Sequence, residues 1–98
     1  MPATIKIPTA LRQFTNGQLL FETVSTTVGQ ALAQLTVEHN ELTPHLYRNE
    51  SELRNFINVY LNNEDIRHLQ GLNSPIKDKD VISLVPSIAG GKKYPMLQ

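Results

Sequence analysis

The sequence predicts an α+β domain in which a mixed sheet carries one main helix. Three observations predict it. Two short stretches near the N-terminus alternate polar and apolar residues, as half-buried strands do. A capped amphipathic helix pattern follows over residues 27–39. The most apolar run, Val81-Ile82-Ser83-Leu84-Val85, comes late in the chain. A run without clean alternation suggests a strand covered on both faces, hence central in the sheet. A central final strand that follows a helix makes the sheet mixed.

The first strand is Thr4-Ile5-Lys6-Ile7, with Ile5 and Ile7 on one face. Pro8 removes a ladder donor and ends it or sets it at an edge. Leu11 and Phe14 anchor the connection. Asn16-Gly17 is the strongest turn signal in the chain. Residues 18–24 then read as a second strand, with Leu19, Phe21 and Thr23 on one face and Phe21 inward. Strand, Asn-Gly turn and strand make a β-hairpin.

Thr27 and Gln30 fit a capping box, hydroxyl to backbone N–H and amide back to the cap. Val28, Ala31, Leu32, Leu35 and His39 follow on one helical face. Gly29 costs up to about 1 kcal/mol against alanine, which suggests a close pass over the sheet. Asn40 and Pro44 limit the helix. Residues 44–55 read as a polar excursion pinned by Leu46 and Leu53, with a short helical turn and no site. Ile57, Val59 and Leu61 alternate with Asn58 and Tyr60 in a strand with one buried face. Residues 62–65 turn, and Ile66 starts a short return strand. Leu69, Leu72 and Ile76 lie in a stretch broken by Gly71 and Pro75, with one tight helical turn. Asp78-Lys79-Asp80 is a polar turn before the last strand. The order β-β-α-β-β is the β-grasp arrangement.

Composition narrows the function classes. Ninety-eight residues make one domain, with a stability margin of about 5 to 10 kcal/mol. Nine basic residues balance nine acidic ones, which argues against non-specific nucleic-acid binding. There is no cysteine, so disulfides, thiolate zinc sites and a cysteine nucleophile are excluded. No stretch approaches the ~20 apolar residues of a membrane span, and the N-terminus lacks a signal-peptide run. The expected setting is cytoplasmic, with no membrane or nucleic-acid partner. His39, His45 and His68 are scattered, without the close spacing of metal motifs, so no metal site is expected. Asp78 and Asp80 are turn formers before they are catalytic carboxylates.

The only Gly-Gly pair, Gly90-Gly91, follows the last strand through Pro86-Ser87-Ile88-Ala89. With the order of elements, it resembles the ubiquitin-like sulfur carriers of the MoaD/ThiS family. Ile7-Pro8-Thr9-Ala10-Leu11-Arg12 and Thr27-Val28-Gly29 share that resemblance. Residues 56–67 and 79–91 look like the CysO branch in particular. The resemblance covers most of residues 4–91. It implies a carrier, not an enzyme, whose working group is the carboxylate of Gly91, with Ala89 and Gly90 as its flexible neighbours. It implies adenylation of that carboxylate with ATP by a ubiquitin-activating-type adenylyltransferase, then conversion to a thiocarboxylate. In the CysO branch the sulfur passes to a pyridoxal-phosphate cysteine synthase, and a JAMM-class zinc metalloprotease frees the new cysteine. No cofactor is expected on this chain. Tyr60, Arg67 and Leu69, on or near the sheet, are candidates for a partner-docking face.

This chain departs from the family at its end. Seven residues, Lys92-Lys93-Tyr94-Pro95-Met96-Leu97-Gln98, follow Gly91. Gly91 therefore lacks a free carboxylate as encoded. The expected organisation is a carrier domain over 1–91 and an extension over 92–98, cut between Gly91 and Lys92 by a JAMM-class enzyme. Loss of Lys92 and Lys93 leaves seven basic residues against nine acidic. The Gly-Gly end also fits carriers for molybdopterin or thiazole synthesis, and a modifier joined through Gly91 to lysines of other proteins. A chain whose tail is never removed would not act as a carrier.

Overall fold

The structure, a computed structural model, describes residues 2–49 and 52–86. Its strands are β1 (Ala3–Lys6), β2 (Leu20–Thr23), β3 (Ile57–Leu61), β4 (Glu64–Asp65) and β5 (Val81–Pro86). Its α-helices are α1 (Val28–Glu38) and the one-turn α2 (Thr43–Leu46). The sheet order is β2-β1-β5-β3-β4. β1 and β5 run parallel; the other neighbours are antiparallel. This is the mixed sheet of a β-grasp domain, with the last strand in its centre.

Register assigns the two faces. Phe21, Ile5, Ile82, Leu61 and Glu64 form one row across all five strands. The next row is Leu20, Lys6, Ser83, Tyr60 and Asp65. Cross-strand partners share a face and neighbouring residues alternate, so the first row leads to α1 and the second to solvent. Ile5, Ile82, Val59, Leu84 and Leu61 are accordingly buried, whereas Leu20 and Val85 are exposed. β5 is central but covered on one face only. Its apolar run reflects β-propensity as much as burial, contrary to the two-sided expectation.

α1 closes the core with Val28, Ala31, Leu32 and Leu35, all with no exposed surface. Burying such a side chain stabilises by roughly 1.5–3 kcal/mol. Thr27 caps the helix, its hydroxyl accepting from Gln30 N–H at 3.1 Å. The return contact differs from the expected capping box: Gln30 Oε1 accepts from the N–H of Thr26, one residue further out, at 3.1 Å. His39 is the C-cap, its ring within hydrogen-bond distance of Gln18 Oε1. Core residues run from Ala3 to Leu84, so the core closes before the chain leaves β5.

Four other local expectations are corrected. Asn16 and Gly17 take φ values of 57° and 82° but do not join β1 directly to β2. They end a 3-10 segment, Thr9–Phe14, whose Leu11 enters the core; the Gly17 N–H donates to Arg12 O at 2.8 Å. Leu19 lies outside β2 and is exposed, leaving Phe21 and Thr23 to face inward. Gly29 faces the 3-10 turn Gly71–Asn73, not the sheet: a Cβ there would stand 3.0 Å from Leu72 O. The return strand is Glu64–Asp65, and Ile66 instead begins a 3-10 turn, Ile66–His68. Asp65 stops the strand because its carboxylate accepts the Arg67 N–H at 2.8 Å.

The described residues of the excursion after α1 hold more secondary structure than its polarity suggests. A 3-10 turn, Asn40–Leu42, leads into α2, with Pro44 in the first turn where a missing N–H costs least. Leu42 and Leu46 are fully buried, and Tyr47 bridges to Leu53. Phe14 stacks on His45 with ring centroids 4.0 Å apart.

Candidate functional site

The exit of β5 organises the site. Pro86, its last residue, is in register with Ile57, the first residue of β3. Ala89, Gly90, Gly91 and Lys92, the expected attachment, tail and processing residues, lie outside the described residues. The structure therefore fixes where the chain departs for Gly91, and what surrounds that point.

Arg67 dominates the outer face beside the exit. Its Nε and Nη2 donate to the Asp65 carboxylate, the shortest contact being 2.7 Å. Nη2 also donates to Asn58 Oδ1 at 3.2 Å. Asn58 is the cross-strand partner of Val85. The side-chain hydrogen bond from Arg67, and then its backbone N–H, hold the Asp65 carboxyl at about 2. Asp65 in turn raises the Arg67 guanidinium above its ordinary value. Tyr60 is the cross-strand partner of Asp65, so the structure brings the expected docking residues Tyr60 and Arg67 together through Asp65. Leu69 closes the Ile66–His68 turn through its N–H to Ile66 O and is 40 % exposed; no contact ties it to the other two among the described residues.

A second feature was not legible in the sequence. A groove of about 570 Å³ runs along the edge of β3, between the excursion and the 3-10 turns. Leu53, Ile57, Val59 and Leu72 are among its lining residues, together with Arg48, Arg54 and Arg67. β4 pairs only with Tyr60 and Leu61, so among the described residues Ile57–Val59 have no strand neighbour on the side away from β5. Arg48 is held by Glu52, with Nη2 2.8 Å from Oε1, and that bond lowers the Glu52 carboxyl below its usual range. Arg54 donates through Nε to Pro44 O at 2.6 Å and lies 5.9 Å from the Phe56 ring centroid. The polarity of the excursion predicts no site there, whereas three of its residues, Arg48, Leu53 and Arg54, line this groove. The one signal available was three arginines, at 48, 54 and 67, flanking a single strand.

At the other end of β3, Asn62 clamps the sheet. Its amide donates to Asp80 Oδ1 at 3.0 Å and its oxygen accepts the Val81 N–H at 2.9 Å. Burial pushes the Asp80 carboxyl up, but the Asn62 amide, the Lys77 N–H and the Lys77 charge together leave it below the ordinary value. Asp80 is a structural carboxylate, as its turn position suggested. Among the described residues no three His, Asp or Glu side chains stand together as metal ligands. Nor is any helix among them long and apolar enough to cross a membrane.

Comparison with known proteins places this architecture. The chain belongs to the ThiS family, whose model matches residues 5–91. It is 34% identical over 93 residues to the sulfur carrier protein CysO of Mycobacterium tuberculosis, covering 93% of this chain and all of the relative. Among solved structures it is similar to a chain in the Amycolatopsis orientalis BexX/CysO complex, with a TM-score of 0.81 and 37% identity, covering 91% of this chain and 99% of that one. It is also similar to small archaeal modifier protein 1 from Methanosarcina acetivorans, with a TM-score of 0.80 and 28% identity over 91% of this chain and 95% of that one.

Proposed function

We propose that this protein is a sulfur carrier of the CysO type, made as a precursor and matured by removal of residues 92–98. The observation that carries the reading is the position of Gly90-Gly91. They follow the central strand by a few residues, in a chain whose family match ends at Gly91. The protein is a co-substrate: its own C-terminal carboxylate is what reacts.

The chemistry follows from that carboxylate. Cleavage of the Gly91–Lys92 peptide bond by a JAMM-class zinc metalloprotease exposes it. A carboxylate is a poor electrophile. A ubiquitin-activating-type enzyme joins it to AMP from ATP, with pyrophosphate leaving, and the mixed anhydride accepts attack by sulfur as AMP departs. The product is a thiocarboxylate on Gly91. Its sulfur attacks a serine-derived acceptor held on a pyridoxal-phosphate cysteine synthase, and hydrolysis of the resulting link frees cysteine. ATP and pyridoxal phosphate are bound by the partners. Glycine at 90 and 91 suits this path because an extended tail without Cβ atoms threads a narrow active site. The outer sheet face beside the exit, with Tyr60 and Arg67, docks the body of the domain while the tail enters; Leu69 lies near its margin. The similarity to the BexX/CysO complex supports a partner protein of this kind.

A test is ATP–pyrophosphate exchange by the activating enzyme with a chain ending at Gly91. Exchange with that chain, and none with the 98-residue chain, is the expected result. Exchange supported equally by both would remove the precursor step. The similarity to a small archaeal modifier protein supports a second reading, conjugation of Gly91 to lysines of other proteins. It predicts Gly91 in isopeptide linkage after protease digestion of cell extracts. Delivery of sulfur to molybdopterin or thiazole synthesis uses the same activated tail and differs only in the acceptor enzyme.

A further inference from the structure

We infer that the groove along the edge of β3 is a receptor for a peptide C-terminal carboxylate, and that its occupant is this chain's own C-terminus when it ends at Gly91. The occurrence of that end in the cell rests on the trimming proposed above; the binding does not.

Charge is the first argument. Of the three arginines in the groove lining, Arg48 is neutralised by Glu52 and Arg67 by Asp65. Arg54 has no carboxylate partner among the described residues; its Nε is spent on Pro44 O, and both Nη groups are unengaged there. Among the described residues the groove is left with one cation whose charge no carboxylate balances. A guanidinium with two such groups matches a carboxylate in fork geometry. Nη1 of Arg67 likewise has no hydrogen-bond partner among the described residues.

Position is the second. The Ile57 N–H donates to Arg54 O at 3.1 Å, and Ile57 is in register with Pro86. Arg54 thus stands one turn from the end of β5. Five residues, 87–91, separate Pro86 from the Gly91 carboxyl, and five extended residues span about 17 Å. The segment can therefore pass the start of β3 and enter the groove, where no strand among the described residues pairs with the edge at Ile57–Val59. So short a tether gives an effective concentration in the millimolar range, enough to populate a weak ion pair.

Selectivity is the third. In the 98-residue chain Gly91 carries a neutral peptide carbonyl, and Lys92 and Lys93 would bring two positive charges to a groove lined by arginines. Docking is therefore a property of the trimmed chain alone. It withdraws the reactive end from solvent until a partner lifts it away.

Three nitrogen-15-labelled proteins test this: the chain ending at Gly91, the same chain with a C-terminal carboxamide, and the 98-residue chain. The Arg54 Nε–Hε resonance and the amides of Arg54 to Ile57 are compared at low and raised ionic strength. The expected result is a shift in the carboxylate chain alone, lost as salt screens the pair. Arg54→Gln in that chain should return the Gly91 amide to its position in the carboxamide chain. Identical Arg54 resonances in the carboxylate and carboxamide chains overturn the inference, and so does an equal shift in the 98-residue chain. Carboxamide replacement leaves every side chain in place, so the result does not depend on a variant that folds. A trimmed chain that docks but is never adenylated refutes the carrier reading and leaves this one standing. A chain that is adenylated without docking does the reverse.

Discussion

Pro86 stands in register with Ile57, and that one pairing fixes where the chain leaves its sheet on the way to Gly91. β5 is central, with β1 beside it as far as Ser83 and β3 beside it to Pro86. Around that end of β5 stand Asn58, Arg67 and the arginine-lined groove.

The Asp65–Arg67 pair predicts a pH dependence. The Asp65 carboxyl is held at about 2 in the folded state, against about 3.9 in an unfolded chain. The unfolded state therefore binds more protons between those values. The contribution of this group to stability is present above about pH 4 and is lost as pH falls through about 2. Carbon-13 titration of the Asp65 carboxyl should give a midpoint near 2, rising toward 3.9 in Arg67→Ala. A midpoint unmoved by that substitution would mean that the fork is not formed in solution.

Asn62→Ala should destabilise the domain by about 2–4 kcal/mol. It removes two side-chain hydrogen bonds, one of them to a carboxylate, and places a Cβ residue without a local polar group at φ 51°. Asn62→Gly relieves the backbone conformation but not the lost bonds, and should fall between Ala and the parent. Urea midpoints measure both. Equal stability of Asn62→Ala and the parent would show that the clamp on Asp80 and Val81 contributes nothing.

Gly29→Ala sets two effects against each other. Helix propensity favours alanine by about 1 kcal/mol. The new Cβ meets the Leu72 carbonyl oxygen at 3.0 Å and the Leu72 Cβ at 3.2 Å. Overpacking against backbone typically costs about 1–3 kcal/mol, so net destabilisation by about 1 kcal/mol is expected in thermal or urea unfolding. A gain in stability would show that the Gly71–Asn73 turn yields freely.

How much of this was legible in the sequence depended on whether a signal was local. The Thr27 cap and the Val28, Ala31, Leu32, Leu35 face are within one helix and were readable. So were the Ile57, Val59, Leu61 alternation and the central place of β5. Gly29 was recognised as a close approach, but its partner, Leu72, is 43 positions away and no periodicity points to it. Asn16-Gly17 is a turn and β1 and β2 pair as an antiparallel hairpin, but the connection is longer than the sequence suggests: the Thr9–Phe14 segment depends on burying Leu11, a tertiary contact. The groove was missed for the same reason. Arg48, Arg54 and Arg67 meet only because the excursion and the 3-10 turns pack against opposite sides of the β3 edge. Gly91, the proposed working end, lies outside the described residues; its assignment rests on the Gly-Gly pair and the family resemblance, not on folding physics.

Gly91→Ala, in a chain ending at residue 91, should leave the urea midpoint unchanged, since the core residues among the described residues fall within 3–84. Adenylation should fall by about 100-fold, the scale on which a 1 Å misplacement of a reacting group acts. Normal adenylation of this variant would count against the threading argument.

Whether Gly91, once freed, carries sulfur is read by intact mass spectrometry of the protein co-expressed with a JAMM-class protease and a ubiquitin-activating-type enzyme. Loss of residues 92–98, followed by a gain equal to the replacement of one oxygen by sulfur on Gly91, is the expected result. A chain that keeps all 98 residues with both enzymes present, or one that is trimmed and never gains sulfur, would contradict it.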